Sequence, residues 1–545
     1  MNDFSRRDFM GGMLGISSIL GLSETTIADL VVQSEPLKKP TEYDLSNATP
    51  ALKRIIQQIT EWNQEGQKFK DDQLEANNDA QWNKLLLNYF DRNKCTSISV
   101  NSANLCPSLK QVNQMVHLVE QMLDEDISFP MRGDLAKASL GYGLGYIKNW
   151  IGNNSECTPE SLIALTRNTT EGNNFINNGL VTSGFFNPQE DNIVVWDVNH
   201  PTNYDAWLYR QATQKWPKKC IKKLQTKMFS QTLNTGEKQM GMIPSDPQSE
   251  NDIIDALKYL LDDKTKIVSL SWQSNECGML LPMKRIVEVV RLFNKDIHIH
   301  ADSAQTFGVL DLKLGKEIDV DSIAGSFHKW PCGPKMVGLL YMKNAKAAKN
   351  FIPSIWGYDE YIKTPKDYGY DPEEGKIDPS AKRFSYLGQQ NDATLVSTWI
   401  AALFHTGFFH PNVSPAKIEA RIRYLGDQAK EALYKNLPRI FPEFSPETAY
   451  QYIATPTTNK QFRTSVFLFK VPDGIQAGDV MTHVYEKYKF AIANLAVKGN
   501  DLLRISPTIS NTSCDVHNVV DYIVDVIREM QKGNLPKKNH RRSYS

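Results

Sequence analysis

The chain lacks an excess charge of either sign: 62 basic and 62 acidic residues cancel. Nothing in that balance favours nucleic acid or an anionic membrane as a partner. Cysteine is scarce, seven in 545 residues, and no Cys-x-x-Cys pair occurs. Cys95, Cys106, Cys157, Cys220, Cys277, Cys332 and Cys514 are scattered, so neither a zinc site nor a disulfide framework follows. Mostly buried free thiols are expected instead. No apolar run reaches the roughly 20 residues of a membrane span. Hydrophobic residues at 41% and charged residues at 23% are a globular composition, on a chain long enough for more than one domain.

What is present begins with an address. Ser5-Arg6-Arg7-Asp8-Phe9-Met10 precedes a short apolar, glycine-rich run at 11–22. Twin arginines ahead of such a run form a bacterial export signal. The expectation is a signal peptide over 1–28, passage through the twin-arginine translocase, and a soluble periplasmic product without a stable membrane anchor. Residues 29–50 read as a polar linker, and the basic tail at 531–545 as a solvated end.

Between these ends the pattern is α/β. Residues 51–135 read as an N-terminal helical segment, with Ile55, Ile56, Ile59 and Trp62 at helical spacing and a further helical stretch over 110–150. Strands are predicted at 192–196, 266–270, 297–301 and 322–325, with helices at 253–261 and 281–293 between some of them. Strands alternating with helices imply a mainly parallel central sheet with flanking helices, assigned to a large domain over 136–351. Residues 352–392, rich in Pro, Gly, Asp and Tyr, read as a long active-site loop, and 393–530 as a smaller C-terminal α+β domain.

The informative block is His300-Ala301-Asp302-Ser303-Ala304-Gln305 followed by Ser326-Phe327-His328-Lys329-Trp330. Each half follows a predicted strand, and in open α/β sheets ligands gather at the carboxyl ends of strands. These residue types suit pyridoxal 5′-phosphate (PLP). Its aldehyde needs a lysine amine for a Schiff base, which Lys329 offers. Its ring nitrogen stays protonated beside a buried carboxylate, which Asp302 offers. Its phosphate needs hydroxyls and backbone N–H groups at a helix start. Ser326 and His328 supply one side; Thr169-Thr170-Glu171-Gly172-Asn173-Asn174 supplies the other.

At these residues the chain resembles the class V aminotransferases, fold-type I PLP enzymes, over roughly 95–345 and 495–530. The wording Thr166-Arg167-Asn168-Thr169-Thr170-Glu171-Gly172 resembles most the isopenicillin N epimerase-like branch. Asn101-Ser102-Ala103-Asn104 with Pro107 looks like the family's opening strand and turn. The resemblance implies Thr169 and Thr170, with Ser326 and His328, as phosphate ligands. It implies His200, in Asn199-His200-Pro201-Thr202-Asn203, as the ring-stacking histidine. Asn275, in Ser274-Asn275-Glu276-Cys277-Gly278, would lie near cofactor and substrate. Gln305 would donate to the ring oxygen, and Lys329 would carry the Schiff base. Arg504, in Leu503-Arg504-Ile505-Ser506-Pro507, would clamp the substrate carboxylate, a match of fork to carboxylate. A homodimer and a small amino-acid substrate are implied too. Where relatives place Gly-Thr against the phosphate across the dimer, this chain has Gly388-Gln389-Gln390-Asn391, so that contact does not carry over. Cysteine desulfurases share the pattern but need a nucleophilic cysteine before the late arginine, and 480–503 holds none. Transamination and epimerisation are favoured, with a PLP-dependent lyase or β-eliminase, or a non-catalytic PLP-fold binding protein, as alternatives.

Other features read blandly. Ser326-Phe327-His328-Lys329 also spells the Ser-x-x-Lys of acyl-serine enzymes, with Tyr434-Lys435-Asn436 and His405-Thr406-Gly407 as companions, but its serine should open a helix and these companions come in the wrong order. His298 and His300 alternate on a strand and read as packed histidines rather than metal ligands. Gly141-Tyr142-Gly143-Leu144-Gly145 has no preceding strand, which favours tight helix packing over a nucleotide loop.

Overall fold

The structure is a computed structural model that describes residues 39–42, 45–46, 48–152, 162–353, 355, 370–371, 376–377, 384 and 388–537. The expected signal peptide, most of the 352–392 loop, and parts of the linker and the basic tail lie outside the described residues. Among the described residues no helix is long and apolar enough to cross a membrane. The chain divides into two compact units. One comprises Met1–Asp72, Ser108–Phe186 and Asp311–Pro415; the other comprises Gln73–Pro107, Asn187–Leu310 and Ala416–Ser545.

Strands are numbered along the chain: β1 (Leu162–Thr166), β2 (Asn192–Trp196), β3 (Ile221–Lys227), β4 (Met242–Pro244), β5 (Thr265–Ser271), β6 (His298–Asp302), β7 (Ser322–Ser326), β8 (Gly338–Met342), β9 (Phe467–Lys470), β10 (Ala493–Val497) and β11 (Asn500–Ile505). The helices that matter below are α1 (Thr169–Thr182), α2 (Pro201–Thr213), α3 (Asp392–His405), α4 (Pro415–Asn436), α5 (Ala477–Tyr488) and α6 (Ser513–Gln531).

In the first unit β8 lies between β1 and β7 and pairs antiparallel with both. The register sets Thr166 and Ser326 each opposite Gly338. With β8 reversed between them, β1 and β7 point the same way, and both leave the sheet at one end. Helices line this unit: Trp150, Tyr142 and Tyr146 set their rings against His405 or Trp399 of α3. Gly143 lies 3.5 Å, measured from an added Cβ, from the Trp399 side chain. That stretch is helical and packed, as its sequence implied.

In the second unit five strands run parallel in the order β6-β5-β2-β3-β4. β2 and β6 are buried at every position, the continuous burial expected of parallel strands covered on both faces. His298 and His300 lie within β6, both buried. A second, antiparallel sheet in the order β9-β11-β10 carries the helices α4, α5 and α6. Phe467, Phe469, Leu503 and Ile505 of that sheet share one apolar core with Leu425 and Leu433 of α4 and with Val519, Val520 and Ile523 of α6. Thr512 and Asp515 close a capping box at the start of α6, each side chain satisfying an amide that the helix leaves without a partner.

The α/β class, with a mainly parallel sheet and an α+β portion towards the C-terminus, is therefore observed. Of the strands numbered above, β1, β3, β4 and β8 went unpredicted, and β9, β10 and β11 were foreseen only as part of an α+β region. β3 hid behind its lysines: Ile221, Leu224 and Thr226 are buried, while the Lys222 amine reaches out to Asp262 and the Leu260 carbonyl. A long aliphatic stem lets a strand carry charge and still bury its backbone.

Candidate active site

The first unit builds an anion cradle beside Lys329. β7 ends at Ser326, and the chain turns sharply through Phe327, His328 and Lys329. Phe327 N–H donates to the Val337 carbonyl at 2.9 Å and Gly333 N–H to the Phe327 carbonyl at 2.8 Å. The turn is also braced from behind. His405 Nε2 lies 3.0 Å from the Pro331 carbonyl, with Trp150 stacked on the imidazole at 4.2 Å. Lys329 and His328 are half-buried on this turn.

Facing it is the start of α1. Asn168 caps the helix, its side chain accepting from Glu171 N–H at 3.0 Å. Thr169 N–H donates to Ser326 Oγ at 2.9 Å, and the two hydroxyls lie 2.5 Å apart. The approach depends on two glycines. A Cβ on Gly172 would sit 2.9 Å from Ala324 Cβ. One on Gly338 would sit 2.6 Å from the Asn168 carbonyl carbon. Thr170 differs from Thr169: it is exposed, and its carbonyl accepts from Asn174. Burial, then the charges of Lys329 and Lys335, push the His328 imidazole down to about 4. His328 Nδ1 is buried and has no hydrogen-bond partner among the described residues. Amides at a helix start, two hydroxyls and an unpartnered imidazole nitrogen form a donor set that suits a phosphate.

The second unit sets His200, Asn275, Asp302 and Gln305 at or after the carboxyl ends of its parallel strands. Asn199, just after β2, accepts from Ser271 N–H at 2.6 Å and donates to the Ser269 carbonyl at 2.9 Å. This fixes His200, whose N–H donates to Ser271 Oγ at 3.2 Å. His200 caps α2, its Nδ1 accepting from Thr202 N–H at 3.3 Å. Accepting there leaves the proton of the neutral ring on Nε2. Ser271 pairs across the sheet with Asp302, the last residue of β6. Asp302 is buried and accepts from Ala304 N–H at 2.9 Å. Gln305 is also buried, and one of its amide hydrogens goes to the Ala103 carbonyl at 2.9 Å. That bond ties Gln305 to the segment read as the opening turn.

Asn275 lies in a tight turn after β5, where Ser274 Oγ accepts from the Glu276 and Cys277 amides. Its carbonyl, rather than its amide, touches Arg504: Nη1 donates to it at 3.3 Å. Arg504 sits on β11, 5% exposed, and burial alone pushes its guanidinium down to about 10.

Two features escaped sequence reading. Glu276 is half-buried, and burial together with the charges of Asp205 and Asp197, moderated by Lys498, lifts its carboxyl to about 7. Gln389 is tied to Arg132, whose Nη2 donates to its Oε1 at 3.1 Å. Neither had a signal in local periodicity. Ser326 closes a strand instead of opening a helix, which sets aside the acyl-serine alternative. Cys277 is buried and its thiol is pushed up to about 12 by that burial, so it is no ready nucleophile.

The family model for aminotransferase class-V matches residues 225–366. Isopenicillin N epimerase of Streptomyces clavuligerus is 25% identical over 286 residues, covering 51% of this chain and 64% of the relative. Cysteine desulfurase IscS of Clostridium botulinum is 35% identical over 99 residues, 18% of this chain and 24% of the relative. The match thus spans less than two thirds of each. Among solved structures, the cysteine desulfurase CsdA of Escherichia coli superposes with a TM-score of 0.59 at 17% identity, covering 83% of this chain and 98% of that one. The cystine C-S lyase C-DES, solved with cysteine persulfide, gives 0.59 at 16% identity over 79% and 98%. Residues 225–366 thus resemble the class V aminotransferases in sequence, and the likeness to the solved structures shows a shared fold over most of the chain.

Proposed function

We propose that the chain is a PLP-dependent enzyme acting at the α-carbon of an amino acid, of aminotransferase or epimerase type. The observation that carries this reading is the cradle of Thr169, Ser326 and the unpartnered His328 Nδ1, on the same turn as Lys329. Bound PLP would supply an electron-withdrawing pyridinium that stabilises negative charge at the substrate α-carbon. Thr169 N–H, the two hydroxyls and His328 would hold its phosphate, with Thr170 at the exposed edge. Lys329 Nζ is the amine that would carry its aldehyde. Asp302 would hold the proton on its ring nitrogen, His200 would lie against the ring, and Gln305 would donate to its ring oxygen. Arg504 takes the substrate carboxylate, with Asn275 beside it. Lys329 Nζ then takes and returns the proton at the substrate α-carbon.

Desulfuration is a weaker reading despite the desulfurase relatives. The segment 480–503 lacks a cysteine, and Cys277 is held as a thiol. Export through the twin-arginine route and a homodimer belong to the same proposal, resting on Arg6-Arg7 and on the family resemblance.

The test is borohydride reduction, digestion and mass spectrometry of protein made with ample vitamin B6. The peptide bearing Lys329 should carry a reduced phosphopyridoxyl group, and Lys329→Ala should lose both label and turnover. An unlabelled Lys329 peptide overturns the reading. A panel of amino acids, read for keto-acid formation and for change of handedness, then separates transamination from epimerisation.

A further inference from the structure

Buried arginines in the second unit are paired with carboxylates. Arg421, 0% exposed, meets Asp79 at 2.6 Å, and Arg463, 5% exposed, meets Asp427 at 2.8 Å. The partly buried Arg92 likewise meets Asp515, at 2.6 Å. Arg504 breaks the pattern. Its guanidinium is held by two neutral oxygens, Asn101 Oδ1 at 3.2 Å from Nη2 and the Asn275 carbonyl at 3.3 Å from Nη1. Its Nε, like those of Arg421 and Arg463, has no partner among the described residues, so the difference lies in the missing carboxylate. A buried cation without a counter-charge is costly unless a ligand supplies one.

Asn101 is itself firmly placed. It bridges Ser506 in parallel fashion, Ser102 N–H donates to the Ser506 carbonyl at 3.0 Å, and Ala103 N–H donates to Ser506 Oγ at 3.0 Å. The amide therefore rides on backbone knitted to the strand that carries Arg504.

We infer that Asn101 is a positioning residue that sets charge specificity: its neutral amide aims the Arg504 fork while leaving the positive charge uncompensated for a ligand carboxylate. This rests on the role given to Arg504 above. An aspartate at this position would be nearly the same shape. It would put a carboxylate where Oδ1 now lies, 3.2 Å from Nη2, and an internal ion pair would replace the ligand's.

The experiment uses the full chain with its cofactor bound. Amino acids that change the cofactor absorbance are titrated alongside their carboxamides, which lack the negative charge. Wild type should prefer acid over amide. Asn101→Asp should weaken acid binding about tenfold or more, leave amide binding within about threefold, and melt no lower than wild type. Asn101→Ser, a neutral acceptor, should keep the acid preference even if binding weakens. A folded Asn101→Asp with the wild-type acid-to-amide ratio overturns the inference. So does an Asn101→Ser protein that loses that ratio, which decides the matter should the aspartate variant not fold. A wild type indifferent to the carboxylate refutes the Arg504 reading itself, and the inference with it.

Discussion

Gly338→Ala tests whether the start of α1 is a built cradle. Gly338 opens β8 opposite both Thr166 and Ser326. An added Cβ would meet Thr166 Oγ1 at 2.5 Å, and the Asn168 carbonyl carbon and Cα at 2.6 and 2.7 Å. Two of these atoms are backbone, so rotamer changes cannot relieve the clash. Reaching the 3.4 Å of ordinary contact from 2.6 Å needs a movement of about 0.8 Å. Asn168 caps α1, so the shift falls directly on Thr169 and its bonds to Ser326. Overpacking of this kind costs about 1–3 kcal/mol of stability. Binding geometry tolerates displacements of only about 0.5 Å, so PLP affinity should fall by about tenfold or more. Gly388→Ala is the control, since among the described residues an added Cβ there meets nothing within 4 Å. Calorimetric melting with and without PLP, and a PLP titration of the apo protein, give both quantities. If Gly338→Ala binds PLP as tightly as Gly388→Ala does, the cradle does not hold the phosphate and the reasoning fails.

The Glu276 carboxyl is lifted from 4.5 to about 7. Its stabilising, protonated form is present at low pH and lost as pH rises through about 7, so Glu276→Gln should be near neutral at pH 5 and stabilising at pH 8, by about 3 kcal/mol at most. Equal denaturation midpoints for the two proteins at pH 8 would contradict this. His328 runs the other way. Its imidazole falls from 6.5 to about 4, so the folded state binds the proton less readily than the unfolded chain. Stability is then full above pH 6.5 and lost towards pH 4, by up to roughly 3 kcal/mol. His328→Gln should flatten that part of the stability profile of the apo protein, and an unchanged slope would show that the ring is not buried as described.

The sequence was most legible where one short segment carries both its structure and its chemistry. Asn192-Ile193-Val194-Val195-Trp196 predicts the strand Asn192–Trp196 residue for residue, and β5, β6 and β7 each lie within a residue or so of expectation. Ser326-Phe327-His328-Lys329 was read correctly as a strand end followed by a turn because such a motif is local. β3 was hidden because its lysines mask a buried backbone.

By itself, then, the sequence determined the α/β alternation, the residue types that suit PLP and their order along the chain. Tertiary structure alone decided that Thr169 rather than Thr170 meets Ser326, a contact across 157 residues. It also decided that the carbonyl of Asn275 and the amide of Asn101, the latter 403 residues from Arg504, hold the guanidinium. Periodicity and propensity record what a residue does with neighbours a few positions away. Hydrogen-bond partners and burial, and through burial the proton affinities of Glu276, His328 and Arg504, are set by segments brought together only on folding.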